Sequence, residues 1–236
     1  MPGIVRVPAT NALAQYAYSI DPVYGTGMDG DAVLNGTSTV LGMIPVSSVY
    51  TMTRDMFLNN LTISANVQLN PGGYRIFVKN LLTLNSGSVV GYTTGFSTAG
   101  SIAQGGDVAT LVTNSLGGSS ATLTATPPIA ALGGSQYYDV PHQAIRGWAV
   151  SATSTTPTFL RGGAGGLLQK GGGVVILAAK TIVPPGSGTA TISAKATAPA
   201  GGGVIIVVSS SSALPSGVST DVTGQNAGTV KYLQVF

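Results

Sequence analysis

The chain has 236 residues, 44% of them hydrophobic and only 7% charged, whereas an ordinary soluble domain is about 25% charged. Its net charge is +3, and the ten basic residues form no run, which speaks against a nucleic-acid patch. There is no cysteine, so disulfides, thiolate zinc sites and a cysteine nucleophile are excluded.

Residues 1–24 carry no long apolar run and read as an arm that docks elsewhere; Ile4, Val5, Tyr16 and Tyr18 are its candidate anchors. Neither a secretory signal nor a membrane span of about 18 apolar residues is present. Gly25–Val33, "GTGMDGDAV", opens the next part and holds G-x-G-x-x-G at Gly25, Gly27 and Gly30. A dinucleotide fingerprint needs a helix after it, and "DAVLNGTSTVLG" is β-like instead. Asp29 and Asp31 are spaced as in a calcium loop, but Tyr24 replaces the first glycine of the Gly-Gly-x-Gly-x-Asp pattern and the copy is single. A turn entering a strand is the favoured reading, with no bound cofactor and no metal.

From Leu61 to Val78, "LTISANVQLNPGGYRIFV" parallels "ATISAKATAPAGGGVIIV" at Ala190–Val207: T-I-S-A, a Pro/Gly turn, then an apolar strand. Residues 25–91 are therefore read as a first β part. Residues 92–170 differ. They are rich in Ser, Thr, Ala and Gly, and they hold the only His (His142) and the only Trp (Trp148), with the pair Tyr137–Tyr138. This segment is read as an insertion. Ser135, Asp139 and His142 are crowded into eight residues, and chain proximity is not triad geometry; a turn with a surface His is the favoured reading. Tyr137, Tyr138 and Trp148 are candidates for an interface or for stacking on a sugar.

Residues 171–236 form a second β part. "GGGVVIL" at Gly171 and "GGGVIIV" at Gly201 repeat at a spacing of 30, a third apolar strand, "GTVKYLQVF", closes the chain from Gly228, and weaker strands fall between these three near Thr189 and Val218. "RGGAGGLLQKGGG" lacks the Lys-Ser/Thr of a P-loop. β-Branched residues and 34 glycines favour strands and tight turns over helices. All seven acids are Asp, so a carboxylate pair has few candidates. Sequence-similar units are what stacked rungs produce, and continuous apolar runs suit parallel strands covered on both faces. The expected fold is all-β: a parallel β-helix-like solenoid with a long irregular insertion, assembled as a trimer. A β-sandwich or jelly roll is the alternative. The outer face of the apolar strands is expected to pack on a neighbouring subunit, because a free monomer with so few charges would be poorly soluble.

"DGDAVLNG", followed by "YTMTRDMFLNNLTISANVQLNPGGYRIFVKNLLTLNSG", resembles a Gly-rich module of tailed-bacteriophage virion structural proteins of the tail, fibre and capsid-decoration type. The resemblance covers about Gly25–Gly91 and extends more weakly to Gly171–Phe236. It implies a non-enzymatic surface protein of the virion, made in the host cytoplasm, with itself and the major capsid protein as partners. It also implies that "DGD" is a turn, that Arg54–Asp55 is a local ion pair or turn, that Asn59–Asn60 caps a rung corner, and that Tyr74–Val78 is an inward-facing strand. The link "VLGMIPVSSVY" is longer than that pattern has. Receptor binding to a host-surface glycan is the main competing expectation, ahead of a depolymerising tailspike and a bacterial adhesin.

Overall fold

The computed structural model describes residues 23–93, 148–151, 154–159, 162–163, 171–197 and 200–235. Among these residues there is no helix. The scarcity of straight-chain helix formers and the abundance of β-branched residues account for that.

The chain alternates between two sheets. One holds β1 (Ala32–Leu34), β3 (Met56–Leu58), β4 (Leu61–Ile63), β6 (Arg75–Leu84), β10 (Val174–Val183), β12 (Val204–Ser209) and β14 (Thr229–Gln234). The other holds β2 (Val49–Thr51), β5 (Gln68–Asn70), β7 (Val89–Tyr92), β11 (Ala190–Ala194) and β13 (Val218–Asp221). Every pairing within these two sheets is parallel. That is not the antiparallel pairing of a jelly roll, whose consecutive strands turn back on each other. A separate antiparallel pair joins β8 (Trp148–Ser151) to β9 (Ser154–Phe159).

Parallel register stacks like on like. Met56, Ile76, Leu177, Val207 and Tyr232 form one inward column, and Tyr50, Leu69, Val90, Ile192 and Thr220 form another on the facing sheet. Neighbouring strands sit about 4.8 Å apart, so each buried side chain rests on the one below it. The interior is almost wholly apolar, with Tyr50, Leu69, Ile76 and Ile192 all at 0% exposure. The repeat of 30 is a structural register, since Val174 lies beside Val204.

The two T-I-S-A copies are not equivalent. Thr62 and Ile63 lie in β4 of the larger sheet, whereas Thr191–Ala194 lie in β11 of the smaller one. The strands that follow do share a sheet, but Ile76 stands beside Leu177 and hence Val207, two residues along from the sequence match with Ile205. A shift of two preserves which face each side chain takes.

A second correction concerns the outer face. Val174, Ile176, Val204, Ile206 and Val208 are almost fully buried within the single chain. Phe77 belongs to this outer cluster, and Val23, Tyr24, Phe57, Leu233 and Val235 pack against it. No neighbouring subunit is needed to take this face out of water. Tyr74–Val78 is correspondingly two-sided: Ile76 and Val78 point into the interior, and Phe77 stacks outside on Phe57 with ring centroids 4.9 Å apart.

The segment between β7 and β10 interrupts the stack without displacing it. β6 pairs with β10, and β7 with β11, as if the intervening residues were absent.

Candidate interaction surface

The stretch that raised the cofactor and calcium readings is a turn. Gly25, Gly27 and Gly30 have φ of +80°, +78° and +71°, a region glycine enters at no steric cost. A Cβ on Gly25 would also stand 2.6 Å from that of Phe77. No helix follows to hold a phosphate.

The two aspartates are spent on protein donors. Asp29 accepts Arg54 Nη2 at 2.7 Å, Arg54 Nη1 at 2.9 Å and the Phe57 amide at 2.7 Å. The guanidinium hydrogen bonds lower the Asp29 pKa and raise that of Arg54; partial burial of Asp29 opposes this, and the Phe57 amide adds to it. Asp31 accepts Asn59 Nδ2 at 2.8 Å, Asn60 Nδ2 at 2.9 Å and the Asn60 amide at 3.1 Å. Those bonds, Asn59 first, hold its pKa below the usual carboxylate value. Both oxygens of Asp29 and Oδ1 of Asp31 already accept N–H donors, which makes them poor cation ligands. No cluster of three acidic, His or Cys residues exists among the described residues.

Arg54–Asp55 is not a local ion pair. Arg54 reaches back to Asp29, and Asp55 pairs with Arg75, whose backbone amide it also accepts at 2.8 Å. Both pairs therefore join successive passes of the chain. Asn59 and Asn60 do sit at a corner, where β3 gives way to β4. Asn80 Nδ2 donates to Asn59 Oδ1 at 2.7 Å, and Leu81 N donates to Asn60 Oδ1 at 3.2 Å. The polar line continues at Lys180, whose carbonyl accepts Ser209 and Ser210 hydroxyls, and ends with Gln234 on the Ser210 carbonyl. The fourth described acid, Asp221, is pushed up by burial, but Thr223 and Lys195 outweigh this and its pKa is lowered.

A second corner stacks one left-handed residue per pass: Asn66, Gly87, Gly188 and Gly217, with φ of 59°, 71°, 76° and 88°. Beside it lies an open depression of about 480 Å³, lined by Ser64, Ala65, Asn85, Ser86 and the Pro185–Ser187 bulge. None of these groups is titratable.

The surface that stands out is the N-terminal end of the stack. The link Asn35–Ser48 folds over the open end of the interior as a cap. Met43, at 4% exposure, plugs the core from above. The fully buried Tyr50 pins the link from below: its hydroxyl accepts Gly36 N at 3.1 Å and donates to Ser38 O at 2.8 Å. Short antiparallel bridges, Val40 with Met43 and Val46 with Val49, shape the rest. Leu41, Ser47 and Ser48 adopt φ of 50°, 49° and 62°, strained values for non-glycine residues. The outside of this cap carries no charge, and apolar side chains stand exposed among short polar ones. Ile44 is 73% and Val46 72% exposed, with Leu41 and Val33 also in water.

Ile4, Val5, Tyr16, Tyr18, Tyr137 and Tyr138 lie outside the described residues. Trp148 opens β8, whose backbone alone is described. The cap residues were not singled out from the sequence. Their signal was the unusual link length, with Met43, Ile44 and Val46 set in a turn-rich, charge-free stretch.

No family model matches the chain, and neither a curated protein nor a solved structure matches it.

Proposed function

We propose that this chain is a non-enzymatic structural protein of a tailed-bacteriophage particle. It is a parallel β-solenoid that assembles as a homotrimer on the particle surface and serves as a capsid decoration or cement protein, or as a short head spike. In this reading the arm, with Ile4, Val5, Tyr16 and Tyr18, anchors on the major capsid protein.

The observation that carries it is the direct pairing of β6 with β10 across the 93–173 segment, over seven residue pairs with one register shift after Ala179. A stiff scaffold that releases and recovers a long segment at one point is built to present that segment. Two further features agree. Each of the four described aspartates is committed to holding a turn or a neighbouring pass, which is architectural work. The apolar mass lies in stacked, closely packed columns, which make the scaffold rigid.

Receptor binding is the second reading, favoured by the separate β8–β9 pair that the presented segment contains. There Tyr137, Tyr138 and Trp148 would meet a host-surface glycan. A cryo-EM map of the intact particle tests both. Density for this chain repeated over the shell, with residues 1–22 against the capsid protein, supports decoration. Density confined to the tail tip supports receptor binding, and particles without the chain overturn the viral assignment.

A further inference from the structure

We propose that the N-terminal end of the stack is a two-fold docking surface for a second copy of this chain, centred on the edge strand at Val33 and the cap side chains Leu41, Ile44 and Val46.

β1 is the last strand of its sheet at this end. Ala32 N donates to Asn60 O at 3.0 Å, and Leu34 O accepts Ser64 N at 2.9 Å. Strand alternation therefore turns the N–H and C=O of Val33, between them, away from β4, and no described strand lies on that side. The Val33 side chain is 55% exposed. An unpaired edge of this kind is a template for another strand.

The two ends of the stack are treated differently. At the far end each edge strand carries a charge, Lys231 on β14 and Asp221 on β13. Charges on edges are how proteins block unwanted pairing. Neither edge strand at the N-terminal end, β1 or β2, carries one: residues 32–53 contain no Asp, Glu, Lys, Arg or His. The edge strands of one end are guarded by charge and those of the other are not.

The occupant that fits is the same surface on a second copy. Across a two-fold axis two β1 strands run antiparallel, so each Val33 offers its N–H to the other's C=O and accepts in return. Asp31 borders the patch just before β1, but a two-fold axis at Val33 sets it opposite Asn35 of the other copy, so no like charges face each other. The cap is also held ready, by Met43 in the core and the Tyr50 hydroxyl under Gly36 and Ser38, so little ordering entropy is lost on contact. A three-residue strand with a few apolar side chains falls short of the roughly 800 Å² per partner of a standard interface, so the contact depends on concentration. It stands whether or not the chain belongs to a virus particle.

Sedimentation velocity and light scattering on the purified full chain, across a dilution series, test it. The expected assembly has an even number of copies, two, or six where a trimer also forms. Ile44→Asp and, separately, Val33→Lys should each halve the mass while the circular dichroism spectrum and melting temperature stay those of the parent. A mass of one or three copies at every concentration overturns the proposal. So does an even assembly that neither substitution changes, and so does open-ended growth, which marks head-to-tail stacking onto β14.

Discussion

Asp29 and Arg54, 25 residues apart, meet as a two-pronged pair at 2.7 and 2.9 Å, while the same carboxylate holds the Phe57 amide at 2.7 Å. The two partners are not equal in consequence. Arg54 has a half-exposed side chain, whereas Asp29 is 14% exposed.

Arg54→Ala should therefore cost about 0.2–1 kcal/mol, as exposed ion pairs do. Asp29→Ala also leaves the partly buried Phe57 amide without its acceptor and should cost about 1–3 kcal/mol. Urea denaturation of the two variants checks the order. Equal losses would mean that the amide bond contributes nothing.

Acid should weaken the fold in one direction only. The folded pKa values of Asp29, Asp31 and Asp221 are all lowered. A lowered carboxylate pKa gives stability that is full above the unfolded value of about 4 and lost as pH falls through the folded value. Melting temperature should stay level from pH 7 down to about 5 and decline below about 4. Replacing Asp29 and Asp31 by Asn should flatten that decline. An unchanged acid limb in the double variant would place the sensitivity elsewhere.

Three glycines separate crowding from backbone strain. A Cβ on Gly202 would stand 1.8 Å from Val222 O, where two backbones touch, so Gly202→Ala should prevent folding or cost more than about 4 kcal/mol. Gly30 has open space but φ of +71°, and Gly30→Ala should cost about 1–2 kcal/mol. Gly186 has open space and no such φ, and its Ala variant should stay within about 0.5 kcal/mol of the parent. Thermal melts of the three variants give the ranking directly.

Tyr50→Phe keeps the ring in the core and removes the hydroxyl that ties Gly36 to Ser38. A loss of about 0.5–1.5 kcal/mol is expected. Hydrogen exchange should quicken in residues 35–48 and stay slow in β12, whose side chains are buried throughout. Equal quickening in both would show that the cap and the stack open together.

The sequence and the structure divide the description of this protein along a physical line. The corner at Asn59–Asn60 was expected from the resemblance alone, whereas composition and short-range pattern determined the β class, the strands at Val174, Val204 and Thr229 and the turn at Asp29–Asp31. Each of these follows from local propensity, from φ that only glycine or asparagine tolerates, or from an apolar run. Which strand lies beside which was not local. The T-I-S-A copies look alike but fall in different sheets, because a strand of that pattern serves equally well on either face of the same core. Arg54 has Asp55 as its neighbour in sequence, yet its side chain binds Asp29, since stacking brings the previous pass closer than the next residue's side chain can turn. The outer cluster around Phe77 and Ile206 gave no sign in the sequence of being covered from within the chain. The exposed cap around Ile44 was equally hidden: the hydrophobicity of a residue records its preference for burial, and only the tertiary structure decides which apolar residues are denied it.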